Sequence, residues 1–440
     1  MNKKSEAYYI YKAEQAKGVF PYFDSEEIEQ IAYDLLDDQL SSEALFVLEE
    51  GLKMHPNDEQ ITKLKVLILI HCQRIDEARM LFAPFASDGT FTTQALLFAF
   101  DVVAGKSRSA LRQLLTKVRR NEIDLLDFVN VVDDMWMEIP DDAKIDYLVS
   151  AAKIPTDKAS ALARIGAMLM DLHLYSDAIT ALDKSLDIDA YDILTWQDLA
   201  RCTLELYEID KCKEACDFGL AIDPKNPLLH FVKGYVAFAE DADYKTTIES
   251  LNVFKDYLEN NVECDKSFLF SDNSELQIAI TYDILGKSYF RSDEIDKAIE
   301  MFEKFSARVP NDHEALFQIS MCYLDKGDLP KALEAIDKAL SVKRRSTSYL
   351  ALKTSILASM YCFEEAIETL DKMIKIKPTD KKFILAKAEL ALGIRKFDIA
   401  DQAFRKLLSL KPRESTTKSL MRQYFDSIGD TEALNQLDNY

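Results

Sequence analysis

Ala298, Ala332, Ala366 and Ala400 fall 34 residues apart, and this spacing constrains the fold more than any other feature of the chain. Phe302, Ile336, Leu370 and Phe404 follow each alanine by four residues. Pro310, Pro378 and Pro412 keep the same period, with Arg344 in the slot between the first two. Upstream, Tyr282, Leu316, Leu350 and Ile384 are large, and four residues later come Gly286, Ser320, Thr354 and Ala388. A fixed period of this length predicts an array of helical hairpins, each too small to bury its own apolar face, so that neighbours supply the core. The small positions are expected where two helix backbones pass closest, with large side chains filling the grooves beside them. Proline closes each second helix because it lacks the N–H of a further turn. Replacing Ala332 with Leu should therefore overpack its hairpin.

The block 279–312 carries Tyr282, Leu285, Gly286, Tyr289, Ala298, Phe302 and Pro310 in a pattern that closely resembles the tetratricopeptide repeat family. It departs at Phe305, where that family usually has a second alanine. The resemblance implies an all-α, right-handed α-α superhelix, a solenoid of about twelve helix-turn-helix repeats whose concave groove binds peptides or partner proteins. It places the groove on first-helix positions 2, 5, 9 and 12. In the central repeats these map to Phe231, Tyr235, Phe238, Phe290, Phe317 and Met321, with Asp283 and Lys287 beside them. Aromatic side chains there suit a peptide groove. The alternative is that neighbouring helices, or an insert carrying Phe268-Leu269-Phe270, already cover them. Some family members clamp a C-terminal carboxylate with Lys at position 5 and Asn at position 9. No repeat in register has that pair, and Lys63 is followed by Leu67.

Residues 1–24 read as an N-terminal capping helix ending near Gly18 and Pro21. Residues 25–158 read as N-terminal repeats, with Asp24 and Glu27 as a capping pair and with 93–158 as two irregular repeats. Residues 159–278 form central repeats with an insert near 260–274, where the register gains 18 residues. Residues 279–440 hold the regular repeats and closing helices.

Composition narrows the function. There is no Gly-rich phosphate loop, His-Glu-x-x-His or Cys-x-x-Cys, so the sequence predicts no enzyme, no cofactor and no metal. Cys212 and Cys216 share a helix face but fill packing slots, where cysteine acts as a small hydrophobe. Seven scattered cysteines predict reduced thiols and a cytoplasmic location. A net charge of −22 disfavours nucleic acid. No stretch approaches the roughly 20 apolar residues of a membrane helix. After Met1-Asn2-Lys3-Lys4 no apolar run follows, so no signal peptide is expected. Residues 342–422 hold 18 Lys and Arg against 9 Asp and Glu, a basic segment in an acidic chain. It is either a solvated face, a site for an acidic partner, or a means of self-association. The expected function is a non-catalytic scaffold or adaptor that binds a protein or peptide on its concave face. The alternative is a regulatory subunit or assembly chaperone that binds partly folded clients.

Overall fold

The computed structural model describes residues 4–260, 274–410 and 414–438, and the regular structure among them is entirely helical. Phe268-Leu269-Phe270 and Pro412 lie outside the described residues. The chain divides into two compact units, Met1–Leu229 and His230–Tyr440.

The first unit opens with α1 (Glu6–Gln15), packed on α2 (Ser25–Asp37). Hairpins follow as α2 with α3 (Ser41–Met54), then α4 (Glu59–His71) with α5 (Ile75–Phe82). The irregular stretch supplies α6 (Phe91–Val103), α7 (Ser107–Arg119), α8 (Leu125–Asp134) and α9 (Asp141–Ala151). Here α8 and α9 each pack on α7 and on α10 (Ala159–Asp171). The period then returns: α10 pairs with α11 (Tyr175–Ile188), and α12 (Ile193–Glu205) with α13 (Ile209–Ile222).

Helix α14 (Pro227–Val236) begins at the end of the first unit, and in the second it runs into a π-helical turn at Ala237–Asp241. Next come α15 (Tyr244–Asn260), α16 (Ser274–Arg291) and α17 (Ile295–Arg308). After them are α18 (His313–Asp325), α19 (Leu329–Val342), α20 (Thr347–Ser359) and α21 (Phe363–Ile376). Helices α22 (Lys381–Gly393), α23 (Phe397–Ser409), α24 (Ser415–Ser427) and α25 (Thr431–Asp438) complete the unit. From α15 on, each helix packs on the next up to α22 with α23, and α24 with α25 closes on α23. The protein is an all-α solenoid of stacked helix pairs.

Local chemistry explains the boundaries. Asp24 and Glu27 form a reciprocal capping box at the start of α2. Asp312, Ser346 and Asp380, again 34 apart, accept hydrogen bonds from the first-turn N–H groups of α18, α20 and α22. Each hairpin turn passes through one left-handed residue, and Asp293, Gly327, Tyr361, Arg395 and Gly429 hold that slot on the same period. The following amide bonds back across the turn, as from Cys362 N–H to the Leu357 carbonyl at 2.9 Å, which satisfies a helix-end carbonyl.

The alanines of the period are fully buried. At Gly286 the reason for small size differs from the expected backbone approach. A Cβ there would lie 2.7 Å from the Phe302 ring, so the slot is kept empty for a side chain of the paired helix. Leu182 enters the same kind of slot at Gly166. The register shift before α16 also has two parts. The left-handed residue after Tyr207 is Ala242, one residue late, because the π turn takes up an extra residue ahead of the insert.

Candidate functional site

The face predicted for binding in the second unit is largely packed. Phe231 is 7% exposed, with its ring 4.9 Å from Phe254 of α15, so it belongs to the core and cannot line a groove. Tyr235 lies against it at 6.3 Å. Tyr235, Phe238 and Phe290 are half-buried against the same core, which also holds Phe302 and Tyr289. Phe317 falls in the next cluster, stacked on Tyr349 at 4.8 Å, and Met321 is half-buried. The Tyr349 hydroxyl lies 2.9 Å from His313 Nδ1. Asp283 and Lys287, one turn apart on α16, pair at 2.6 Å. Burial pushes the Asp283 carboxyl above its ordinary range, and Lys287 opposes that shift. Five of the eight residues are therefore split between two packing clusters, four in the first and Phe317 in the second, with Asp283, Lys287 and Met321 outside both. What they offer jointly is a band of half-exposed rings beside a half-buried ion pair.

In the first unit the first-helix face is also occupied, here by charge. Arg164 of α10 pairs with Asp133 of α8, and Asp198 and Arg201 of α12 lie 3.5 Å apart. Burial pushes the Asp198 carboxyl up to about 6, with Asp171 and Asp192 adding to the rise and Arg201 and Arg164 opposing it. Cys202, Cys212 and Cys216 are buried, and the Cys212 thiol donates to the Ala200 carbonyl at 3.5 Å. Burial pushes the Cys202 thiol up to about 12, which keeps it protonated as a packing group. Lys63 is 4% exposed and bonds to Asp88 at 2.9 Å, an internal tie.

An open groove lies elsewhere, between the second helices of two successive hairpins, α11 and α13, with α12 as its floor. Its volume is about 1010 Å³. Trp196 and Phe218 stack in it at 5.1 Å with planes 23° apart. The Trp196 indole N–H donates to the Ala190 carbonyl at 2.9 Å, which fixes the ring. Tyr191, Phe218 and Ile222 line it while remaining exposed, Tyr191 at 82% and Phe218 at 57%. Its charged rim is Asp183, Asp187, Glu214 and Lys211, and Lys211 is held by Asp183 at 2.5 Å.

The family model for the tetratricopeptide repeat matches residues 285–349, across the stretch where the period is most regular. That stretch of the chain carries tetratricopeptide repeats. Tetratricopeptide repeat protein 21A of Homo sapiens is 23% identical over 181 residues, which cover 39% of this chain and 14% of that protein. The chain thus matches a small part of that relative's length. Among solved structures, YrrB, described as a tetratricopeptide repeat protein with an unusual peptide-binding site, is 19% identical, with a TM-score of 0.38. That alignment covers 49% of this chain and 98% of YrrB. MamA is 20% identical with a TM-score of 0.35, over 43% of this chain and 94% of MamA.

Tetratricopeptide repeat proteins are generally protein-interaction scaffolds and are typically not enzymes. Among the described residues no helix is long and apolar enough to cross a membrane. The groove residues of this repeat protein escaped the sequence reading because Phe218 and Ile222 have the four-residue spacing of a core face. The available signal was their offset from Cys212 and Cys216, which occupy the packing slots of the same helix.

Proposed function

We propose that this repeat protein is a non-catalytic scaffold that binds a protein or peptide segment on the first-helix face of α14, α16 and α18. The observation behind this reading is that Tyr235, Phe238, Phe290, Phe317 and Met321 each keep part of their surface open instead of closing fully into the core. Rigid, half-exposed rings lose little conformational freedom on contact, which favours them as anchors. The Asp283–Lys287 pair beside them offers a charged end for orientation. Binding there is expected to be of modest area, since Phe231 contributes packing and no contact surface.

A photoreactive side chain placed at Met321 tests this directly. Cross-linked product at that position, suppressed by Phe290→Ala in a chain with an unchanged circular dichroism spectrum, is the expected result. Cross-linking that occurs only from an exposed second-helix position such as Glu300 would remove the first-helix face as the site.

A further inference from the structure

The groove between α11 and α13 is distinct from the first-helix face, and its chemistry selects a different kind of ligand. We propose that it is a second docking site, for a short basic segment of a partner protein that inserts one aromatic or large aliphatic side chain flanked by Lys or Arg.

Three observations specify this occupant. The first is size. About 1010 Å³ reaches the upper end of ordinary ligand pockets and accommodates a large side chain with part of its backbone. The second is the apolar wall. Exposed Tyr191 and Phe218 lie beside a Trp196 ring fixed by its own hydrogen bond, so the wall is preformed and an incoming side chain orders little. The stacked Trp196–Phe218 pair also presents ring faces, which attract a guanidinium or ammonium group.

Charge supplies the third observation and sets the sign of the partner. Lys211 is the one cation among the lining residues, and Asp183 neutralises it at 2.5 Å. Asp187 and Glu214 are exposed on the rim and make no ion pair among the described residues. An acidic or phosphorylated segment would meet two uncompensated carboxylates at the groove mouth, whereas a basic one would pair with both. Opposite charge at a rim raises association rate and selectivity, and the aromatic insertion holds the complex.

The test uses a fluorescent synthetic peptide carrying one Trp and one Leu among Lys and Arg residues. A counterpart with Glu at every basic position serves as the comparison. Anisotropy is read against the full chain at rising salt. The basic probe is expected to bind, with affinity falling as salt rises, and the acidic one not to bind. Phe218→Ala should weaken the basic probe about tenfold, the scale of one aromatic anchor. Asp187→Lys with Glu214→Lys should weaken it at least as much, while Asp76→Lys, an exposed acidic site on α5, should change it little. Phe218 is exposed, so these substitutions leave the core intact, and circular dichroism confirms the fold. Equal binding of both probes, or binding insensitive to Phe218 and to the rim charges, overturns the proposal. Loss of binding in Tyr235→Ala alone would assign the probe to the first-helix face, supporting that reading and sinking this one. Concentration-dependent self-association of the chain, abolished by Phe218→Ala, would identify a second copy as the occupant and likewise overturn it.

Discussion

Phe317 stacks on Tyr349 at 4.8 Å, and Trp196 stacks on Phe218 at 5.1 Å, yet the two pairs lie in different surroundings. The first pair sits within a cluster that includes Ala332, Ile336 and Ile356. The second opens onto a groove with Phe218 57% exposed. The cause is the position of each ring in the repeat. First helices are sandwiched, as α18 is by α17, α19 and α20, so their rings meet protein on several sides. The outward face of a second helix has no such cover, and α13 turns Phe218 and Ile222 to that side. A ring that faces neighbouring helices, such as Phe317, therefore serves mostly stability, and a ring on the outward face of a second helix, such as Phe218, is available surface.

The largest expected effect compares an inward-facing ring with an outward-facing one, both on second helices. Phe302 is fully buried and fills the slot opposite Gly286. Phe302→Ala should cost about 3–5 kcal/mol, the usual loss for a buried aromatic ring. Phe218→Ala should stay within about 0.5 kcal/mol, as for surface positions. Denaturant melts of both variants check this. A two-state treatment does not extend to a chain of two compact units, so the trace of the second unit is followed on its own. Comparable losses would break the comparison.

Much of this was legible in the sequence, and the reasons are physical. The Ala298-to-Ala400 period, the Phe302 series and the cap at Asp24 are local requirements of a close helix pair and a helix start. They reappear wherever that geometry repeats. The π turn at Ala237–Asp241 was not legible, because a single added residue leaves no compositional trace. The candidate site was partly legible. Tyr235, Phe290 and Asp283 lie on first helices as expected, but the period could not reveal that Phe231 turns into the ring of Phe254. The groove around Trp196 was missed because exposure depends on what covers a second helix, which the repeat itself leaves undetermined.

The next effect concerns one of the closed slots of the regular block. Ala332 is fully buried, and its carbonyl accepts a hydrogen bond from Ser320 Oγ at 2.7 Å. A leucine there has to displace α18 or adopt a poor rotamer. Ala332→Leu is expected to cost about 1–3 kcal/mol. An unchanged melting curve would mean the regular block is packed as loosely as the groove wall, and the contrast would lose its basis.

A third prediction asks whether the first-helix face of the first unit is as closed as that of the second. Burial holds the Asp198 carboxyl near about 6, against an ordinary 3.8. Between those values the folded chain keeps a proton that the unfolded chain releases, so this group's contribution to stability falls as pH rises through that window and stays lost above it. Asparagine cannot ionise. Asp198→Asn should therefore stabilise the protein at about pH 7.5 by on the order of 1–2 kcal/mol, with the gain vanishing near pH 4. Thermal melts across that range would show it. A variant less stable than the parent at neutral pH would mean that the Arg201 pairing outweighs burial and that this face is wetter than the packing implies.

The smallest effect probes the other side of the comparison, the premise that an exposed ring adds little stability. Tyr361 is 80% exposed and holds a left-handed backbone conformation, φ 60°, in the slot that Gly327 fills one repeat earlier. That conformation costs a side-chain-bearing residue about 1–2 kcal/mol, and glycine escapes the cost. Glycine also gives back roughly 0.5–1 kcal/mol through the greater freedom of the unfolded chain. The turn's own bond, from Cys362 N–H to the Leu357 carbonyl, is backbone and survives the change. Tyr361→Gly should thus stabilise the second unit by about 0.5 kcal/mol. The one ring contact it forfeits is an edge-on approach to Phe363 at 5.9 Å. If the variant instead melts earlier, that contact is worth more than the backbone relief. Exposed rings in this chain would then be part of its stability, and Phe218 would have to be reconsidered on the same terms.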